Sequence, residues 1–252
     1  MDLPDGFVQS PVQGSVVVAR REAFERVRDA IEMAGSLPRW AAAQDPARRL
    51  EGRGTAWCVE GSAGEDWVIR HYRRGGAMAW LLGDRYLRLG VRRPFHELHV
   101  SQEARVRGVA TPAVVAAVVH DAGLFYSADL VTVHIPDSAD LAAVTFESPG
   151  REPAERIAAW RAAGELVRHA AEEGLRHVDL NLKNILIGGM GAPVPRAWLI
   201  DLDRARIGRP LPVAGRNAMV ARLHRSREKL ERKFGRTVPR AELDAFDDGL
   251  RG

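Results

Sequence analysis

A chain of 252 residues that is 46% hydrophobic and 28% charged can bury a sizeable core and is too apolar to be disordered throughout. Its net charge of +4 is small and spread out, and no helix-turn-helix, zinc finger or aromatic-basic stacking motif accompanies it, so no nucleic-acid partner is expected. The single cysteine, Cys58, excludes an internal disulfide and a multi-cysteine zinc site, and it lies in an apolar run that suits core packing.

In chain order, the N-terminus carries Asp2 and Asp5 beside only a short apolar stretch, Val16-Val17-Val18, and does not read as a signal peptide. Residues 21–34 have Phe24, Val27, Ile31 and Ala34 at helical spacing. Strands are expected at 56–59 and 67–72, joined by the turn Gly61-Ser62-Ala63-Gly64. A helix at 95–107 should stop at Gly108, with Pro112 beyond it. Strands follow at 113–119 and 125–134 around Asp121-Ala122-Gly123. The run from about Gly108 to His120 is uncharged but too short to cross a bilayer, so any membrane contact is expected to be peripheral.

Past residue 135 the pattern becomes helical. Pro153 opens a helix over 153–173, with Ile157, Trp160, Gly164, Val167 and Ala171 on one face and Gly174 at its stop. Apolar-flanked loop segments at 175–187 and 197–203 precede a basic amphipathic helix at 216–234. The expectation is an α+β protein of two lobes sharing a cleft: a β-rich N-lobe, 1–134, and a mainly helical C-lobe, 135–252.

The chemistry concentrates in two short segments. His177-Val178-Asp179-Leu180-Asn181-Leu182-Lys183-Asn184 has the form H-x-D-x-x-x-x-N. Phosphoryl transfer needs a carboxylate beside the attacking hydroxyl and oxygen ligands for magnesium, and one loop of this form supplies both through Asp179 and Asn184. Trp198-Leu199-Ile200-Asp201-Leu202-Asp203 is an apolar strand ending in acids. Alone, Asp201 and Asp203 would read as a capped surface turn; downstream of that loop they suit magnesium, a cation that prefers oxygen. His177 reads as a structural residue that holds the loop, not as a base.

This order resembles the protein-kinase-like superfamily and, more closely, the lipopolysaccharide-core kinases that act on 3-deoxy-D-manno-octulosonic acid (Kdo). The resemblance covers roughly residues 45–230. It rests on Gly52-Arg53-Gly54-Thr55-Ala56-Trp57, on Val68-Ile69-Arg70-His71-Tyr72-Arg73-Arg74-Gly75-Gly76, on Asp84-Arg85-Tyr86-Leu87, on the Asp179 loop, on Ile200-Asp201-Leu202-Asp203-Arg204, and on Leu223-His224-Arg225-Ser226.

The resemblance implies a bilobal protein-kinase-like fold that uses ATP and Mg2+. It makes Asp179 the catalytic carboxylate and assigns metal to Asn184, Asp201 and Asp203. It gives nucleotide contacts to Gly52, Arg53, Gly54, Arg70 and Lys183. Two glycines alone would read as an ordinary hairpin. Arg70 stands where kinases carry a strand lysine, and no lysine precedes Lys183; its guanidinium is always charged but differs from lysine in reach and shape. Alone it would suit a strand edge. Glu97 is the expected acid partner of Arg70, with Glu103 as competitor. Asp203 replaces a glycine of the usual metal-binding segment, where it would bind metal indirectly or fix Arg204.

Arg73 and Arg74 would meet an anionic acceptor, a Kdo-bearing lipid A precursor, although without the resemblance they would read as a solvated basic loop. Arg222, Arg225, Arg227, Lys229, Arg232 and Lys233 would either lie against anionic lipid at the cytoplasmic side of the inner membrane or form a solvated helix face. No obligate protein partner is evident. The alternatives are a kinase for another sugar, such as a core heptose or an aminoglycoside, and a non-catalytic pseudokinase.

Overall fold

The structure is a computed structural model that describes residues 3–50, 56–62, 64–72, 86–87, 92–148, 150–189 and 194–252. The chain divides into two compact units: unit 1 is Met1–Gln102 with Ala113–His134, and unit 2 is Glu103–Pro112 with Ile135–Gly252.

Unit 1 opens on a hairpin of β1 (Phe7–Val12) and β2 (Ser15–Arg20). Its two turn residues, Gln13 and Gly14, both take positive φ, 45° and 76°, which matches the right-handed twist of the strands they join. Helix α1 (Phe24–Ala34) ends at Gly35, whose left-handed backbone lets its N–H donate to Ile31 O at 2.7 Å. Then come α2 (Leu37–Ala42), β3 (Arg48–Leu50), β4 (Ala56–Glu60), β5 (Asp66–His71), β6 (Tyr86–Leu87), α3 (Arg93–Val106), β7 (Val114–Ala122) and β8 (Phe125–Val133). Among the described residues these strands form an eight-stranded antiparallel sheet in the order β1-β2-β7-β8-β5-β4-β3, with β6 on β8.

Strand alternation sorts the sheet's side chains onto two faces. On one, Val17, Ala19, Trp67, Ile69, Val118 and Val131 pack with Val27, Ala30 and Ile31 of α1 and with Leu37 and Trp40 of α2. On the other, Val18, Ala117, Val119, Ala128 and Leu130 meet Leu98 and Phe95 of α3. Helices on both faces leave the sheet interior dry, so its strands read as near-continuous apolar runs.

Unit 2 contains β9 (Ala139–Asp140), a π-helical turn (Ala143–Glu147) and α4 (Pro153–Glu172). After these lie β10 (Leu175–Arg176), a 3-10 turn (Leu182–Asn184), β11 (Ile185–Gly188), β12 (Arg196–Leu199) and β13 (Arg206–Ile207). Two helices close the chain, α5 (Val213–Phe234) and α6 (Arg240–Arg251). Helices α4 and α6 approach backbone to backbone through a glycine on each. A Cβ on Gly164 would strike the carbonyl of Phe246, and one on Gly249 the carbonyl of Arg161. The short sheets run β12-β11-β9 and β10-β13. No helix among the described residues is long and apolar enough to cross a membrane.

Candidate active site

The Asp179 segment is held from below by burial and from the side by hydrogen bonds. Leu180, Leu182 and Ile185 are buried apolar anchors, and Asn181 caps the 3-10 turn by accepting from the Lys183 N–H at 3.0 Å. Strands β11 and β12 pair Ile185 with Leu199. One step beyond that pair, the Ile200 N–H donates to Asn184 O at 3.0 Å. Register thus brings Asn184 and the residue before Asp201 together, although they are remote in sequence. The Asn184 amide donates through Nδ2 to Asp179 O at 3.2 Å, which leaves Oδ1 as the atom with which this buried side chain could take a cation.

Behind these groups sits His177, only 1% exposed. Its Nδ1 accepts from the Asp179 N–H at 3.3 Å and its Nε2 lies 3.0 Å from Ile200 O, so the ring is neutral with its proton on Nε2. Burial holds the His177 pKa below its usual value, against the hydrogen bond to Ile200 and the charges of Asp201, Asp179 and Asp203. All three carboxylates therefore lie close enough to act on one ring. Asp201 takes φ = 64°, a left-handed conformation that a non-glycine residue holds only when its surroundings impose it. The Asp179 carboxylate accepts from Arg204 Nη1 at 2.7 Å through Oδ2. Lys183 acts electrostatically on Asp140, whose carboxyl burial pushes up.

In unit 1, both oxygens of Glu97 accept from Arg70 Nη2, at 2.8 and 2.7 Å. Glu97 is 3% exposed and also accepts from the Tyr72 hydroxyl, while the Arg70 guanidinium lies 5.0 Å from the centre of the Tyr72 ring. In unit 2, Glu103 pairs instead with Arg107, at 2.8 Å. Tyr72 is a partner that the sequence reading missed; its signal was its place two residues after Arg70, on the same face of a strand.

Gly52, Arg53, Gly54, Arg73 and Arg74 lie outside the described residues. Cys58 is buried, as its apolar neighbours suggest. Its sulfur and the ligand atoms of Asp66 and His134 lie within 4.8 Å of one another. The Arg48 guanidinium, 3.4 Å from the sulfur and 3.7 Å from Asp66 Oδ2, already supplies the positive charge there.

Known proteins similar to this chain identify its family. Residues 38–246 match the model of the lipopolysaccharide kinase (Kdo/WaaP) family. A 3-deoxy-D-manno-octulosonic acid kinase of Vibrio cholerae is 33% identical over 180 residues, 71% of this chain and 72% of that protein. One from Xanthomonas campestris pv. campestris is 36% identical over 210 residues, 82% of this chain and 78% of that protein. Among solved structures, WaaP in complex with acyl carrier protein superposes with a TM-score of 0.55 at 20% identity, over 93% of this chain and 88% of the other. That likeness shows the kinase-like α+β fold expected from the sequence. The chain is a member of the lipopolysaccharide kinase (Kdo/WaaP) family, a family of phosphotransferases whose kinase chemistry implies ATP as the donor.

Proposed function

We propose that this chain transfers the γ-phosphoryl group of ATP to a hydroxyl of Kdo, O-4, on a lipid A precursor of the lipopolysaccharide core. The observation that carries the reading is the set of oxygens around His177: Asp179, Asn184 and Asp201 ordered by one buried ring and one strand pair. Family membership and the names of the relatives support the acceptor.

In this reading Asp179 orients the acceptor hydroxyl and takes its proton as the oxygen attacks in line. Asn184 Oδ1 and the Asp201 carboxylate are hard oxygens of the kind magnesium takes, with Asp203 as a nearby further carboxylate. Magnesium, when bound, would neutralise phosphate charge and orient the donor. Arg70, held on Glu97, offers its guanidinium to phosphate oxygens in the role that a strand lysine plays elsewhere. Lys183 and the Gly52-Arg53-Gly54 segment would add nucleotide contacts, and Arg73 and Arg74 would meet the acceptor's acidic groups.

Helix α5 fits a peripheral place at the cytoplasmic side of the inner membrane. Arg222, Arg225, Lys229, Arg232 and Lys233 are all exposed, and their spacing puts them on one stripe beside the buried Met219, Leu223 and Leu230. Arg227 does not belong to that stripe; it is half-buried and lies 3.5 and 3.7 Å from Glu228 and Glu231. The WaaP neighbour's partner also makes an acyl carrier protein worth including in copurification assays.

The test is incubation with ATP and three acceptors (Kdo-bearing lipid A precursor, a core heptose acceptor and an aminoglycoside), followed by mass analysis. Gain of one phosphoryl group on the Kdo acceptor is expected. Gain only on another sugar would refute the acceptor, and no transfer to any of them would favour the pseudokinase.

A further inference from the structure

Asp129 lies within β8, is 0% exposed, and has no part in the chemistry described so far. Each of its oxygens takes a ring nitrogen: Oδ1 is 2.6 Å from His71 Nδ1 and Oδ2 is 2.9 Å from His120 Nε2. Ser15 Oγ lies 2.8 Å from His120 Nδ1. Register lines up the four, with Ser15 opposite His120 and His71 opposite Asp129, across the adjacent strands β2, β7, β8 and β5.

An ionised carboxylate only accepts, so both rings must present N–H to it. His120, with its proton on Nε2, then accepts from the Ser15 hydroxyl through Nδ1. His71 must carry hydrogen on Nδ1. Burial pushes the Asp129 carboxyl up, but its interactions with His120 and His71, the hydrogen bonds foremost, outweigh that and hold it below the usual carboxylate value.

A buried charge in a sheet is a poor way to gain stability, since an apolar side chain of similar size packs at less cost. What Asp129 secures is the end of β5. Alternation along the strand sends His71 to one face, onto Asp129, and Arg70 and Tyr72 to the other, where both meet Glu97. The last residues of β5 are thereby clamped from both faces.

We propose that Asp129, acting through His71, is a positioning residue for Arg70. It fixes the twist of the strand end so that the guanidinium stays on Glu97 in the pose that meets phosphate. The inference rests on the reading of Arg70 as a phosphate-binding group.

Asp129→Asn keeps the shape and removes the charge. Long-range proton–nitrogen NMR spectra should show His71 with hydrogen on Nδ1 in the wild type and a shift toward the Nε2-protonated form in Asp129→Asn. The KM for ATP should rise about tenfold in that variant, with the acceptor KM within about twofold of wild type, as expected for a misplaced binding group. His71→Asn, whose amide N–H takes the place of Nδ1–H, should keep most of the wild-type ATP affinity, whereas His71→Ala should behave like Asp129→Asn. Adding His71→Ala to Asp129→Asn should cost little more than either alone.

If Asp129→Asn does not fold, the two His71 variants carry the test. A lowered Tm with an unchanged ATP KM would overturn the inference, as would His71→Asn being as damaging as His71→Ala. If Arg70→Ala also leaves the ATP KM unchanged, the phosphate role of Arg70 has failed; if Arg70→Ala raises it and Asp129→Asn does not, only the present inference has failed.

Discussion

Arg204 donates through Nη1 to Asp179 Oδ2 at 2.7 Å, in a pair whose side chains are 58% and 45% exposed. Exposed pairs of this kind contribute at most about 1 kcal/mol, so Arg204 orients the carboxylate without immobilising it. Asp179→Asn should therefore lower kcat by about a thousandfold. Arg204→Ala should lower it by about tenfold and leave Tm within about 2 °C of wild type. Steady-state kinetics beside thermal melts check this; equal losses in the two variants would mean that Asp179 has no special role.

Asn184 and Asp201 are the proposed oxygen ligands of magnesium. Nucleotide at about a hundred times its Kd should stabilise the wild type by about 2.7 kcal/mol, and that gain should require magnesium. Asp201→Asn and Asn184→Ala should each lose the magnesium-dependent part of the thermal shift. Asn184→Ala should also lower the basal Tm, because it removes the hydrogen bond to Asp179 O, worth about 1 kcal/mol. A full shift in both variants would place the metal elsewhere.

His177 is buried neutral, with its pKa depressed by burial. The unfolded chain binds a proton near the ordinary histidine value, about 6.5, and the folded chain resists until lower pH. The stability this ring contributes is thus present above about 6.5 and falls away as pH drops through the depressed folded value. His177→Gln should flatten the fall in Tm between about pH 7 and pH 5. A melt series across that range decides it; an unchanged slope would assign the titration to another group.

Gly164 allows α4 to touch the backbone of α6 at Phe246. Gly164→Ala is favourable for an isolated helix by about 1 kcal/mol, yet here the added methyl meets a carbonyl. A net loss of about 1–3 kcal/mol is expected, seen as a lower denaturation midpoint. A rise in stability would show that the helices part without cost.

Segments with strong local signals were legible in the sequence. The α4 helix, expected at 153–173, spans Pro153–Glu172, because a proline start, an apolar stripe and a glycine stop all agree. The Asp179 loop was legible because its donors lie within a few residues of one another. The β1–β2 hairpin was not, since Gln13-Gly14 is a weaker turn signal than Asn-Gly and three valines were too short a run to name a strand. Strands β9, β10, β11 and β13 have two to four residues each, below the length at which alternation can be read; β12 showed only as the apolar run before Asp201. Asp129 was missed for a different reason: its partners His71 and His120 lie 58 and 9 residues away, and only sheet register joins them. Between metal and Arg204 the sequence left the role of Asp203 open, and it gave no sign that Arg204 is hydrogen-bonded to Asp179, a pairing set by the fold around His177.

The most direct test is label transfer from γ-labelled ATP to Kdo-bearing lipid A precursor, with wild type and Asp179→Asn run at equal folded concentration. The account predicts magnesium-dependent labelling of the glycolipid by the wild type and about a thousandfold slower labelling by the variant. Labelling at the same rate by both proteins would contradict it.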